Sequence, residues 1–204
     1  MFPVACALIV GLWLAAASGV AQAKKKKKNL PETSPTVSFS TYKERVGRVT
    51  VVLGTQIASI DSDVSFVPFQ IAVGVRGAGA DLIVNRSSFA LIDASGVVHP
   101  MAPLHEVLDV GKISYFRQAA RMSPLNDGNT FDRYRRLSAA FYPQTAGPVG
   151  KELIEMTRDT YFEDIVYFPR PESGLDGVLT LQFVAHGIDR PLRVRFEVPI
   201  RSEP

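Results

Sequence analysis

Basic and aromatic side chains are concentrated in the stretch FDRYRRLS, residues 131–138. A guanidinium group is planar, permanently charged and rich in N–H donors, and it stacks on aromatic rings. Arginines beside a tyrosine therefore suit an anionic or carbohydrate ligand. The predicted ligand contacts are Arg133, Tyr134, Arg135 and Arg136. The alternative interpretation is a solvated face that lies next to acidic residues.

Two groups of residues carry side chains of the kind that bind metal ions. A zinc site would need His99, His105 and His186 together with a carboxylate, and the spacing of the first two is not that of a helical ligand pair. The loop Asn126–Asp132 offers closely spaced oxygens that suit calcium, but it lacks the terminal glutamate of a calcium-binding loop. Packing histidines and an Asp-Gly turn explain the same residues. No metal site is predicted.

The sequence offers no convergent catalytic set. Glu163 and Asp164 are adjacent, so on a strand they point to opposite faces and do not form the carboxylate pair of a glycosidase. Neither a G-x-S-x-G elbow nor a phosphate-binding loop is present, and the glycines of residues 74–81 follow a strand and open no helix. We therefore predict no catalytic residue and no cofactor.

The elements that must position these residues are mainly strands. Residues 48–60 and 65–77 are rich in β-branched and aromatic residues. Residues 177–187 and 191–200 alternate apolar and polar side chains, as expected of strands with one buried and one wet face. This pattern predicts an all-β fold, an antiparallel immunoglobulin-like β-sandwich of about eight or nine strands.

One stretch interrupts the strand pattern. Helical spacing of apolar residues predicts a short helix within Pro103–Ser123, and a loop follows it. The whole insertion spans about residues 103–132. Long connections in small domains are often binding regions. We therefore expect the insertion to be the contact surface for a partner, and its deletion to abolish partner capture.

The hairpin and a late strand carry a resemblance to a known family. Phe89, Leu91, Asp93 and Gly96 form the pattern F-x-L-x-D-x-x-G, and Phe168 and Pro169 end a later hydrophobic strand, with Pro171 after them. In this order the chain resembles uncharacterised bacterial exported immunoglobulin-like domains of the DUF4352 kind. The resemblance covers most of the chain after the N-terminus, although the helical stretch departs from it. It implies a β-sandwich in the cell envelope and no catalytic residue.

Charge is distributed unevenly along the chain. Of its 23 basic residues, five are the consecutive lysines Lys24–Lys28. The remaining 18 are outnumbered by the 20 acidic residues. The chain outside the lysine run is therefore slightly acidic. Because a nucleic-acid-binding domain carries its basic residues on the folded surface, nucleic acid is not an expected partner.

The N-terminus resembles an export sequence. Residues 1–23 carry no charged side chain, and Ala21 and Ala23 match a signal-peptidase site. We predict cleavage after Ala23, a lysine-rich flexible linker over residues 24–43, and a sandwich domain over 44–204. The lysines after the apolar stretch favour the alternative of a retained single-pass membrane anchor. In either case, Lys24–Lys28 can contact an anionic membrane surface.

The leading hypothesis is an exported, periplasmic or secreted, non-enzymatic binding module of the cell envelope. Its expected partner is an envelope protein or an anionic polymer. Two alternatives remain open. One is a hydrolase or carbohydrate-binding enzyme whose site is assembled from distant residues, and the other is a membrane-tethered sensor domain.

Overall fold

Strands make up most of the chain that the structure describes. The structure, a computed structural model, describes residues 33–60, 65–142 and 149–199. The predicted signal peptide and the lysines Lys24–Lys28 lie outside these residues. None of the described helices is long and apolar enough to span a membrane.

The larger sheet has six strands in the order β1-β2-β3-β4-β12-β8. Its strands are β1 (Thr36–Ser38), β2 (Thr41–Val46), β3 (Val49–Gly54), β4 (Phe66–Val75), β12 (Thr160–Pro169) and β8 (Arg135–Arg136). Neighbours from β1 to β12 are antiparallel, whereas β8 lies parallel to β12. The pairing of β4 with β12 runs over ten residues, from Phe66 opposite Pro169 to Val75 opposite Thr160. These two long strands are the centre of the sheet.

The second sheet has four strands in the order β14-β13-β6-β7. They are β14 (Leu192–Phe196), β13 (Leu179–Phe183), β6 (Phe89–Ile92) and β7 (Val98–Pro100). Shorter pairs complete the fold: β5 (Leu82–Asn85) with β11 (Leu153–Met156), and β9 (Ala139–Ala140) with β10 (Val149–Gly150). A single 3-10 turn, Arg86–Ser88, joins β5 to β6.

The core lies between the two main sheets, as the predicted alternation requires. On β14, Leu192, Val194 and Phe196 are buried and Arg193 is exposed. Phe196 meets Phe69 of β4 edge to face, with ring centroids 5.2 Å apart. The prediction of an all-β sandwich is confirmed, with more strands than expected because several have only two to four residues.

The sandwich begins earlier than the sequence predicted. Residues 24–43 were expected to be a flexible linker, but β1 and the first residues of β2 lie within them. The backbone N–H of Ser34 donates to the carbonyl of Arg195 at 2.7 Å, and the Arg195 N–H donates to the Ser34 hydroxyl at 2.9 Å. The linker prediction is therefore wrong for the strand residues, because backbone pairing orders a segment that has few large apolar side chains.

Two helices, rather than one, occupy the predicted insertion. They are α1 (Leu104–Asp109) and α2 (Ile113–Met122). Gly111 separates them with a φ of +67°, a left-handed conformation that glycine adopts without strain. Phe116 of α2 is buried and packs against Tyr167 of β12, with ring centroids 6.0 Å apart. The side-chain amide of Gln70 donates to the carbonyls of Ala120 and Ser123, which fastens the end of α2 to β4.

Candidate functional site

The segment after α2 crosses the outer face of the larger sheet and ends in the predicted contact residues. Phe131 is buried there against Val52 and Ala72 of the sheet. Gly74 makes room for its ring, since a Cβ at Gly74 would lie 2.3 Å from a Phe131 ring carbon. Every residue of β3 and β4 is consequently buried. Unlike the strands predicted at residues 177–187 and 191–200, these two strands have no solvent-facing side, because the insertion covers their outer face.

Three aromatic rings hold this crossing segment in place. Phe131 stacks on Tyr161 of β12 with centroids 4.9 Å apart and the ring planes 4° apart. Tyr134 stands edge-on to Phe131 at 5.2 Å and to Tyr161 at 6.5 Å. Tyr134 and Tyr161 are only half-buried, so each presents part of its ring to solvent. Tyr134 is therefore both an anchor of the segment and part of its surface.

The three predicted arginines are exposed, but they do not form one cluster. Arg136 pairs with Tyr161 in register, and its Nη2 lies 2.5 Å from Oε2 of Glu163. Arg135 precedes it on β8, so its side chain leaves the strand on the opposite side. Within the described ranges, the side chains of Arg133 and Arg135 make no hydrogen bond or ion pair. The structure thus brings together Tyr134, Arg136, Tyr161 and Glu163, with two unpaired cations beside them.

Glu163 and Asp164 are separated by the sheet, as predicted from their adjacency. Glu163 lies on the outer face, where partial burial raises the pKa of its carboxyl and the charge of Arg136 opposes that rise. Burial likewise raises the pKa of the Tyr161 hydroxyl, and the nearby Glu163 adds to the effect. Asp164 lies on the inner face and is buried. The two carboxyls cannot act on one substrate.

Asp164 belongs to a buried polar network that the sequence analysis missed. Its Oδ2 accepts the Phe141 N–H at 2.6 Å, and its Oδ1 accepts the Ile165 N–H at 2.8 Å. The Nη2 of Arg117, from α2, lies 3.8 Å from Oδ1 and donates to the Tyr142 carbonyl at 2.7 Å. This network ties the helix to β12 and to the chain beside β9.

Burial dominates the electrostatics of this network. It raises the pKa of Asp164 to about 7, although the Phe141 N–H and Arg117 act in the opposite direction. Burial also lowers the pKa of Arg117 and raises that of Tyr167. The Nε of Arg117 and the Tyr167 hydroxyl have no hydrogen-bond partner within the described chain. The cluster is enclosed, so we assign it to the packing of α2 and not to a ligand.

A second buried carboxylate, Asp93, organises the hairpin between β6 and β7. Its Oδ1 accepts the N–H groups of Ser95 and Val97, both at 2.9 Å, and its Oδ2 lies 3.0 Å from Nε2 of His99. The hydrogen bond to His99 and that to the Ser95 hydroxyl hold the pKa of Asp93 well below its usual range. Ser95 and Ser173 both donate to Asp93 and not to His99. This arrangement is a turn, not a Ser–His–Asp relay.

The oxygen-rich loop Asn126–Asp132 uses its side chains to form local turns. Asp127 accepts the backbone N–H groups of Asn129 and Phe131, and Asn126 accepts that of Gly128. These bonds make the Asn126–Asp132 loop a pair of turns. Over the described residues, no group of three or more His, Cys, Asp or Glu side chains is arranged to hold a metal ion.

Comparisons with known proteins give no family. No protein-family model matches the chain, and no curated protein matches it. A crystal structure of a DUF4426 family protein from Pseudomonas aeruginosa PAO1 is similar at 12% identity, over 81% of this chain and 98% of that chain, with a TM-score of 0.33. That score is too low for an inference about function. The resemblance to DUF4352 domains stays a prediction.

Proposed function

We propose that the chain is a non-enzymatic binding module exported to the cell envelope, and that it contacts an anionic polymer through one surface. This arginine–tyrosine surface consists of Arg133, Tyr134, Arg135, Arg136 and Tyr161. The observation that carries the proposal is that Arg133 and Arg135 are exposed cations without an internal partner in the described part of the chain, beside two half-exposed rings.

The surface suits an extended ligand better than a small one. It lies at the edge strand β8, where cations leave the strand on both sides, and it is not enclosed. Pairing of β8 with β12 and stacking of Phe131 on Tyr161 fix its backbone before any ligand arrives. Such preorganisation lowers the entropy lost on binding. A polymer with repeated negative charges can extend across cations on both sides of this strand, which a small ligand cannot do.

The insertion is less suitable as a separate contact surface than its sequence suggested. Val107, Phe116 and Phe131 are buried within it. Deletion of residues 103–132 would therefore expose the sandwich core and would not give a clean test of partner capture. Point substitutions of the exposed arginines leave this packing intact, so they replace the deletion as the test.

The test measures binding of a fluorescently labelled polygalacturonate, a carboxylate polymer, by anisotropy. All variants carry glutamines in place of Lys24–Lys28, so that the lysine run does not bind the polymer. The double variant Arg133→Gln/Arg135→Gln should bind about tenfold or more weakly, because a basic side chain near an anionic surface contributes about 1 kcal/mol.

The matched control changes the same charge elsewhere. Arg190 and Arg193 are exposed residues in and before β14, and the variant Arg190→Gln/Arg193→Gln should bind as the parent does. Equal weakening by both pairs would mean that only net charge matters, and would reject the surface.

Export is checked separately by N-terminal sequencing of the chain from a periplasmic fraction. Lys24 as the first residue supports cleavage after Ala23, and an intact Met1 contradicts it.

A further inference from the structure

A cavity of about 540 Å³ lies at one end of the sandwich, and none of its lining residues belongs to the arginine–tyrosine surface. Three connections form it: the β2–β3 turn, the β4–β5 loop and the β13–β14 loop. Its lining includes Gly47, Arg48, Ala80, Gly187 and Asp189. Loops gathered at the end of a β-sandwich are a common position for binding sites because a rigid scaffold holds them.

Arg48 supplies the cation of this cavity. It is half-buried, and its carbonyl accepts the Arg76 N–H at 2.9 Å, which fixes its backbone to the end of β4. Its guanidinium makes no hydrogen bond or ion pair with any described residue. This guanidinium is not enclosed, since none of its nitrogens is a buried atom, and its N–H groups remain available to a ligand. An oxyanion in the cavity would satisfy it with two parallel N–H···O bonds.

Glycines let the backbone approach the guanidinium of Arg48 closely. A Cβ at Gly79 would lie 2.8 Å from Nη1 of Arg48, and a Cβ at Gly187 would lie 2.8 Å from the Asp81 carbonyl. Gly187 has a φ of +97°, which other residues rarely adopt. The guanidinium therefore lies against bare backbone, and no side chain at these positions competes with a ligand for it.

Asp189 limits the charge of the ligand. It lines the same cavity, but it forms no ion pair with Arg48, since no atoms of the two side chains come within ion-pair distance. Its carboxylate would repel a second negative charge in the cavity. A singly charged carboxylate suits this lining better than a doubly charged phosphate.

We propose that this cavity binds the carboxylate group of a small ligand, with Arg48 as its bidentate donor. The site uses none of the residues assigned to polymer contact. The two proposals can therefore fail independently: substitutions at Arg48 test this one, and those at Arg133 and Arg135 test the other.

The experiment titrates acetate, and separately inorganic phosphate, into the ¹⁵N-labelled full chain and follows amide shifts by NMR. Acetate should give saturable shifts at Gly47, Gly187 and the Arg48 side-chain N–H. Sodium chloride at matched ionic strength should not. If chloride shifts the same amides equally, or if acetate gives no saturable shift, the proposal is wrong.

Variants assign the effect to Arg48. Arg48→Met should abolish the acetate shifts. Arg48→Lys keeps the charge but loses the two parallel N–H donors of the guanidinium, so it should weaken acetate binding severalfold. Arg193→Met changes the charge equally on β14, where Arg193 Nε donates to Gln182, and should bind acetate normally. Asp189→Asn should improve phosphate binding more than acetate binding. Acetate shifts that persist in both Arg48 variants, or phosphate binding unaffected by Asp189→Asn, would overturn the assignment.

Discussion

Two arginines of this chain occupy opposite situations. Arg117 reaches from α2 into the sandwich, where its side chain is 11% exposed and its Nη2 meets Asp164 and the Tyr142 carbonyl. Arg48 lies at the rim of a cavity, half-buried, with no acceptor in the described structure. Only the first is compensated from within the chain.

This difference in internal partners distinguishes an arginine that stabilises the fold from one that is available to a ligand. A buried charge with a fixed internal partner becomes essential to the fold, since either partner alone would remain buried and uncompensated. A cation without an internal partner adds little to folding and remains available to an outside anion. On this basis Arg117 is assigned to architecture and Arg48 to recognition, although both are arginines in a sequence rich in them.

The largest expected effect is at Arg117. Arg117→Met keeps much of the side-chain volume but leaves Asp164 buried without its cation. We expect the free energy of unfolding to fall by about 3–5 kcal/mol, the usual result of breaking a buried pair. Urea denaturation at pH 8, followed by circular dichroism, measures it.

The matched control removes both charges. In Arg117→Met/Asp164→Asn no unpaired buried charge remains, so part of the lost stability should return. If the double variant is no more stable than the sum of the two single effects predicts, the pair is not coupled in this way. Arg117 could then no longer serve as the internally compensated arginine in the comparison with Arg48.

The next effect is a pH dependence that follows from Asp164. An unfolded aspartate loses its proton near pH 3.8, whereas burial keeps the proton on folded Asp164 until about pH 7. Between these values the folded state binds more protons, so raising the pH favours unfolding. The contribution of Asp164 to stability should therefore fall between about pH 4 and pH 7, by up to about 1.4 kcal/mol per pH unit.

The check compares urea denaturation of the parent and Asp164→Asn across this range. The stability of the variant should not decline over this range, and a variant with the same slope as the parent would contradict the raised pKa of Asp164.

Asp93 does not produce the same trend. Because its pKa is lowered by His99 and Ser95, its stabilisation is present above about pH 4 and is lost only at lower pH.

Much of the fold was predictable from sequence because burial on one face of a strand imposes a period of two. Leu192, Val194 and Phe196 follow this period and are buried. The sequence pattern did not indicate that Asp164 is buried. It sits in an acidic pair that looks solvated, and its partner Arg117 is distant in sequence, so only the fold brings them together.

The candidate site, like the fold, was predictable from sequence only in part. The exposed arginines 133, 135 and 136 were recognised from their density, but the aromatic partner Tyr161 comes from another strand. The Arg48 cavity could not be recognised at all. Its lining comes from three separate loops, and its glycines resemble those of ordinary turns.

The smallest expected effect completes the comparison. Arg48→Met should change the free energy of unfolding by no more than about 0.5 kcal/mol, as for substitutions that break no internal contact. Methionine replaces the aliphatic stem of Arg48 with a chain of similar shape, so little packing is lost. Urea denaturation under the conditions used for Arg117→Met measures this value. A loss comparable to that of Arg117→Met would make Arg48 an architectural residue and would remove the reason to assign it to a ligand.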